Sequence, residues 1–235
     1  MTVTEAVALY GRLEDGVTDQ LHGNRSVPEV IVCPPFVALT ALNDVADERL
    51  IKLAAQNCHW ESEGPYTGQI SLRMLNGLVE YVLLGHPEHV EAGETEEQIA
   101  KKIPAAATAG LRPVVFVGEK SPSDVATRQV ELQLRNRLTG VNAKEHSVIV
   151  VYEPEWATDA NEPAEPQQIE EVTAMIKQQL TEMGHPDPEV VYAGAVNSDN
   201  TDRLADVRGL DGLVLGEASL DDQEVLRILE RIGAR

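Results

Sequence analysis

The amino-acid sequence predicts an α/β fold with a parallel β-sheet whose strands are covered on both faces. Short runs of β-branched residues alternate with longer amphipathic segments, and such alternation is typical of strand–helix–strand units. Most of the runs are apolar at consecutive positions, as expected for strands buried on both faces. The 235 residues suit one barrel-sized domain. Because no linker divides the chain, we expect a single domain over residues 1–235.

The first predicted element is a helix over residues 2–21, where apolar side chains recur at three- and four-residue steps. Thr2 and Glu5 have the spacing of a capping box at its start. Strands are predicted at residues 30–33, 51–55, 81–84, 113–117, 148–152, 189–192 and 212–215. Further helices are predicted at residues 95–109, 123–138, 166–183, 201–205 and 221–232.

Composition and charge exclude several classes of protein. Lys and Arg total 19 against 39 Asp and Glu, a formal net charge of −20. Such a surface repels nucleic acid and anionic lipid, so neither is expected as a partner. The N-terminus lacks the basic start and apolar stretch of a signal peptide, and no apolar run approaches the roughly 18–20 residues that span a membrane. We therefore expect a cytoplasmic protein without membrane contact.

The two cysteines do not predict a disulfide or a metal site. Cys33 ends one apolar run and Cys58 follows another, and neither has metal-ligand spacing to a second Cys or His. His59 adjoins Cys58, but adjacent residues on a strand point to opposite faces. We expect two buried, reduced thiols, and neither a metal nor a cofactor.

Polar phrases follow the predicted strands in a specific order along the chain. They are Val-Cys-Pro-Pro-Phe (32–36), Ala-Ala-Gln-Asn-Cys-His-Trp-Glu (54–61), Tyr-Thr-Gly-Gln-Ile-Ser (66–71), Leu-Gly-His-Pro-Glu-His (84–89), Gly-Glu-Thr (93–95), Val-Gly-Glu (117–119), Tyr-Glu-Pro-Glu-Trp-Ala (152–157), Tyr-Ala-Gly-Ala-Val-Asn (192–197) and Leu-Gly-Glu-Ala-Ser-Leu (215–220). With ordinary spacing over nearly the whole chain, they resemble the second to eighth strand ends of the triosephosphate isomerase family. The resemblance implies a (β/α)8 TIM barrel, of which seven strands are readable. The family's first strand would precede residue 1.

The resemblance also implies a proton-transfer pair. The family interconverts dihydroxyacetone phosphate and glyceraldehyde 3-phosphate, with a glutamate as base and a neutral histidine that polarises the carbonyl. The matching residues are Glu153 and His86, and both follow strands at the face where barrel enzymes build their sites. Pro87 stands where a serine is common in the family, which removes one N–H donor from the start of the following helix.

Other parts depart from the family pattern. The family's first strand ends in Asn-x-Lys, and no residue here matches that lysine. Gly216 matches the first glycine of the Gly-Gly pair that holds phosphate at a helix start, but Glu217 replaces the second. Ala195 replaces a serine and so removes a hydroxyl donor. A carboxylate at an anion site repels phosphate, so the resemblance predicts a weakened phosphate site.

The segment between Trp156 and Pro166 has the length of the family's lid but lacks its glycine-rich tip. Asp159 replaces a glycine whose amide meets phosphate, and Glu162 replaces a lysine at the hinge. Loss of glycine limits the backbone angles available to a closing loop. Together with Glu217, these acids predict poor binding of a triose phosphate.

A protruding segment, residues 56–71, resembles the loop by which family members dimerise. Gln56, Thr67 and Gly68 are retained, and Tyr66 supplies an aromatic anchor. We therefore expect a homodimer that forms through this loop. In a seven-stranded sheet the first and last strands keep unpaired edges, which must be covered, closed together or paired with another chain.

Three hypotheses for function remain open. The first is a family homologue with weak or no triose phosphate turnover, acting in interaction or regulation. The second is a working isomerase of glycolysis and gluconeogenesis whose true start lies upstream. The third is an enzyme that applies Glu153 and His86 to an uncharged or cationic substrate, since proton abstraction beside a carbonyl needs a base and an electrophile rather than a phosphate site.

Overall fold

A computed structural model describes residues 1–23, 26–47, 49–122 and 126–234 of the chain. All seven predicted strands are present, each within one residue of its predicted bounds. The strands are β1 (Val30–Val32), β2 (Ile51–Ala55), β3 (Tyr81–Leu84), β4 (Arg112–Val117), β5 (Ile149–Tyr152), β6 (Glu189–Ala193) and β7 (Gly212–Val214). The helices of the described residues are α1 (Val3–His22), α2 (Leu39–Asn43), α3 (Leu72–Leu75), α4 (Pro87–Glu91), α5 (Glu96–Thr108), α6 (Ala126–Arg137), α7 (Glu155–Ala160), α8 (Pro166–Glu182), α9 (Thr201–Ala205) and α10 (Asp222–Gly233).

Each strand pairs in parallel with the next strand along the chain, in the order β1 to β7. Side chains from the first and last strands, Ile31 and Val214, pack on one inner apolar cluster with Phe116 and Val151. Because both edge strands reach the same cluster, the sheet curls into an open, TIM-barrel-like arrangement. The predicted fold class is confirmed, with seven strands. Within the described residues, β1 and β7 do not pair with each other.

Two apolar layers explain why the strands read as continuous apolar runs. Val150 and Tyr152 face an outer cluster against the helices, whereas Ile149 and Val151 face the inner cluster. Side chains of a strand alternate between its two faces, so a strand covered on both sides is apolar at every position.

The longer helices and the five-residue α9 match their predicted bounds closely, whereas the other short helices were not predicted. At the start of α1, Glu5 N donates to Thr2 Oγ1 at 3.3 Å and Thr2 N donates to Glu5 Oε2 at 2.7 Å, so the predicted capping box is confirmed. The helix predicted at 123–138 is present as α6, while residues 123–125 lie outside the described residues. Helices α2, α3, α4 and α7 span four to six residues each, which is too short for a periodic signal.

The first and last helices pack against each other. Helix α1 contacts α10 at Gly16, where an added Cβ would lie 2.4 Å from Leu226 Cδ1. Arg12 Nε donates to Asp222 Oδ1 at 2.8 Å across the same contact. The helix layer therefore joins the two ends of the chain.

The cysteines are free, and one of them is less buried than predicted. Cys58 is buried, as expected, but Cys33 is only partly buried because it lies at the end of edge strand β1. Burial raises the pKa of both thiols to about 12. Over the described residues, no helix has the length and apolar character needed to cross a membrane. The same residues contain no group of three His, Cys, Asp or Glu side chains placed to hold a metal ion.

Candidate active site

His86 lies at the carboxyl end of β3, where a glycine turns the chain into α4. Gly85 has φ of 73°, and a Cβ there would lie 2.8 Å from Arg137 Nη1, so glycine is required. His86 caps α4, and its Nδ1 accepts a hydrogen bond from Glu88 N at 3.3 Å. An accepting Nδ1 carries no proton, so the N–H of the neutral ring is Nε2–H. Pro87 occupies the first helical position, where a missing N–H costs little.

The surroundings of His86 favour its neutral form. Its ring packs edge-on against Phe116, with centroids 4.8 Å apart. Burial lowers the pKa of His86, nearby Glu88 opposes that shift and His89 adds to it. A neutral imidazole can donate from Nε2 to a substrate oxygen without carrying charge.

Glu153 follows β5 directly and is only 8 % exposed. Its Oε1 accepts a hydrogen bond from Thr158 Oγ1 at 3.2 Å, whereas its Oε2 is buried without a hydrogen-bond partner. Burial raises the pKa of this carboxyl to about 7, Thr158 lowers it, and the charges of Glu155 and Glu88 raise it. A carboxyl that titrates near neutrality is well suited to take up and return a proton.

The backbone on both sides of Glu153 is tightly fixed. Glu153 N donates to Val117 O at 2.9 Å, in continuation of the β4–β5 ladder. A Cβ at Gly118 would lie 1.7 Å from Glu153 O, so only glycine allows the two strand ends to approach this closely.

A buried carboxylate to which the sequence pattern gave no role holds the start of the lid. Glu119 is fully buried, and its Oε1 accepts hydrogen bonds from Tyr152 OH at 3.0 Å, Trp156 Nε1 at 3.0 Å and Gln168 Nε2 at 3.1 Å. Tyr192 OH accepts a bond from Ala164 N at 2.9 Å. The lid is thus tied to the barrel on both sides of its tip. The position of an acid directly after an apolar strand could have indicated a role for Glu119 in the sequence. Its hydrogen-bond partners could not be identified that way, because they lie 33 to 49 residues away.

The lid tip forms a short helix with acids on its surface. Helix α7 ends at Ala160, and the C-cap residue Asn161 has a left-handed φ of 52°. Asp159 and Glu162 are exposed. Burial raises the pKa of Glu155 at the start of α7, Lys120 opposes this shift, and Glu91 and Asp159 add to it.

The residues matched to the family's phosphate site lie after β6 and β7. Ala195 is half-buried with φ of 50°, a conformation that costs about 1–2 kcal/mol for a residue with a Cβ. Asn200 Nδ2 donates to Ala195 O at 2.8 Å and helps to hold this turn. Gly216 and Glu217 are exposed, and Glu217 begins a short 3-10 turn. In the described part of the chain, no Lys or Arg forms an ion pair with Glu217.

The segment 56–71 has an aromatic cluster at its base and an exposed tip. Gln56 Nε2 donates to Cys33 O at 3.1 Å, which ties the end of β2 to the end of β1. Tyr66 is 40 % exposed and packs on His59, with ring centroids 4.3 Å apart. Thr67 and Gly68 are exposed, and Gly68 has φ of 89°.

The structure thus places four of the predicted site residues at one end of the barrel. His86, Glu153, Ala195 and Glu217 follow β3, β5, β6 and β7, and parallel strands end at the same face of a sheet. A buried carboxyl and an imidazole thus lie at the end of a parallel α/β barrel-like sheet where barrel proteins build their functional sites.

The chain can be assigned to one family within that class. Residues 2–232 match the model of the family described as triosephosphate isomerase. The chain is 37 % identical over 237 residues to "Triosephosphate isomerase" of Herpetosiphon aurantiacus, with 97 % of this chain and 93 % of that protein covered. It is 35 % identical over 209 residues to "Triosephosphate isomerase" of Aquifex aeolicus, covering 86 % of this chain and 85 % of that protein. The chain belongs to the triosephosphate isomerase family.

Proposed function

We propose that this chain keeps the proton-transfer pair of the triosephosphate isomerase reaction but converts dihydroxyacetone phosphate to glyceraldehyde 3-phosphate slowly or not at all. Glu153 is the base, and its pKa of about 7 suits proton exchange at neutral pH. The Nε2–H of neutral His86 is the donor to the substrate carbonyl oxygen, because its Nδ1 is engaged by Glu88 N. The chemistry of proton transfer is therefore supported.

The observation that carries the proposal of weak turnover is the exposed Glu217 at the end of β7. No ion pair in the described residues offsets its charge, and it occupies the position of a glycine that meets phosphate in the family. A carboxylate about 6 Å from a phosphate dianion costs about 1–3 kcal/mol at an effective dielectric of about 40–80. This energy corresponds to a roughly 10- to 100-fold loss in affinity.

Two further features weaken the phosphate site in the same direction. Asp159 adds a second exposed acid on the lid, and α7 replaces a glycine-rich tip with a helical turn. Ala195 offers no hydroxyl to the site or to the lid. Substrate binding energy is needed to align the base with the carbon, so a weak phosphate grip lowers kcat as well as affinity.

The test is a direct assay of dihydroxyacetone phosphate conversion, paired with titration by inorganic phosphate. The wild-type chain is expected to show no saturable conversion in the substrate range that is typical of enzymes. Glu217→Gln should strengthen phosphate binding by about 10-fold or more, while Glu145→Gln, an exposed acid distant in sequence, should not change it. Saturable turnover of at least about 10 s⁻¹ by the wild type would refute the proposal of weak activity. It would favour the working isomerase, for which the in-frame nucleotide sequence upstream is the second check.

A second candidate function is proton transfer on an uncharged or cationic carbonyl compound. It is favoured by the buried, unpartnered Oε2 of Glu153 together with the acids Asp159 and Glu217 at the same end of the barrel. The measurement is exchange of substrate hydrogen with deuterated water over a panel of neutral and amino sugars. Exchange should depend on Glu153 and disappear in Glu153→Gln. Exchange that persists in this variant would remove the candidate.

We also propose a cytoplasmic homodimer that forms through segment 56–71. Tyr66 in the segment is 40 % exposed, and Met74 beyond the segment and Val37 near the end of β1 are 61 % and 73 % exposed. Apolar side chains left exposed are favourable to bury against a partner. Sedimentation should give a dimer that Tyr66→Ala weakens, and a monomeric wild type would contradict this proposal.

A further inference from the structure

The lid and the base are joined by one side-chain hydrogen bond. Thr158 Oγ1 donates to Glu153 Oε1 at 3.2 Å, from a position five residues later in the chain. Thr158 is exposed on α7, whereas Glu153 is buried. A surface residue of the lid therefore reaches a buried carboxylate from the solvent side.

The other groups that face Glu153 do not stabilise its charged form. Glu155 on α7 and Glu88 on α4 are acids, and Tyr192 on β6 donates no hydrogen bond to it. Oε2 has no hydrogen-bond partner. Among the hydrogen bonds of the described residues, Thr158 supplies the one donor to this carboxylate.

Hydrogen bonds on both sides of Thr158 fix its position. Before it, Trp156 Nε1 donates to the buried Glu119 and holds the start of α7 against the barrel. After it, Asn161 N donates to Thr158 O at 3.0 Å at the end of α7. These bonds keep the Thr158 hydroxyl beside Glu153.

We propose that Thr158 is a positioning residue that orients the Glu153 carboxylate and favours its ionised form. A donor on a carboxylate oxygen favours the charged form, so the base holds its proton less tightly while the Thr158 hydroxyl donates to it. The role as base rests on the proposed function, but the contact and its effect on ionisation do not.

The test measures the ionisation of Glu153 without substrate. In the full chain labelled with carboxyl-¹³C glutamate, the Glu153 resonance is assigned by its loss in Glu153→Gln and titrated by NMR. Thr158→Val should raise the pKa of Glu153 by roughly 0.5–1 unit, as expected for loss of one hydrogen bond. Thr158→Ser should restore the wild-type value. Thr181→Val, which removes an exposed helix hydroxyl that donates to Lys177 O, should leave it unchanged.

An unchanged pKa in Thr158→Val, or an equal rise in Thr158→Ser, would overturn the proposal. Thr158 is exposed, so the variants are expected to fold, and matching urea midpoints would verify this. These readings do not depend on turnover, so they separate this inference from the proposed function.

Discussion

The region around β4 and β5 and the region around β1 and β7 are built from similar β-branched runs, yet they differ in burial. Every residue of β5 is buried, whereas every residue of β1 and β7 is only partly buried. Strands β4 and β5 each pair on two sides, while β1 and β7 each pair on one. The groups matched to proton transfer follow well-paired strands, and Glu217 follows an edge strand. Pairing on both sides, rather than apolar content, therefore distinguishes the buried part of this site.

The largest expected effect tests whether water is excluded from the region around β4 and β5. Lys102 on α5 is buried with its partner Glu94, and its Nζ also donates to Asn57 Oδ1 at 2.9 Å. Lys102→Ala leaves a buried carboxylate unpaired and should lower the free energy of unfolding by about 3–5 kcal/mol. Its neighbour Lys101 pairs with Glu97 at the surface, so Lys101→Ala should leave the urea midpoint nearly unchanged. Equal effects of the two variants would show that the region is open to water.

A smaller effect compares the same residue type in the two regions. Val150 in β5 is fully buried, whereas Val214 in β7 is partly exposed. Val150→Ala should cost about 2–3 kcal/mol through lost apolar burial and a cavity, while Val214→Ala should cost less than about 1 kcal/mol. The measurement is urea denaturation of both variants at one pH. If Val214→Ala costs as much, the β7 edge is covered in solution.

The smallest effect concerns the pH dependence that Glu153 imposes on the well-paired region. Its pKa is raised from 4.5 to about 7, so the folded state keeps a proton that the unfolded state releases. Folding stability from this group is complete below about pH 4.5 and is lost as the pH rises through about 7. Glu153→Gln removes this pH-dependent loss. Relative to the wild type, its free energy of unfolding should therefore rise on the order of 2 kcal/mol more at pH 8 than at pH 4.5. A gain that is the same at both pH values would contradict the raised pKa.

Much of the fold could be predicted from local pattern, because each element depends on neighbours in sequence. Runs such as residues 149–152 are apolar at every position, and Thr2 with Glu5 forms its cap within one helical turn. The family phrases also indicated which strand ends carry Glu153 and His86. Contacts made across the barrel could not be predicted this way, and Glu119 is the example, since its donors come from β5, α7 and α8.

The sequence by itself determined the parallel α/β class, the order of the strands and the family, because strand burial and strand-end phrases are local properties. Only the tertiary structure decided how exposed Cys33 is, how the lid tip folds and which hydroxyl meets the base. It also decided that Glu153 titrates near pH 7, since that pKa depends first on burial. Burial and long-range hydrogen bonds are set by residues brought together from distant parts of the chain, which no local pattern encodes.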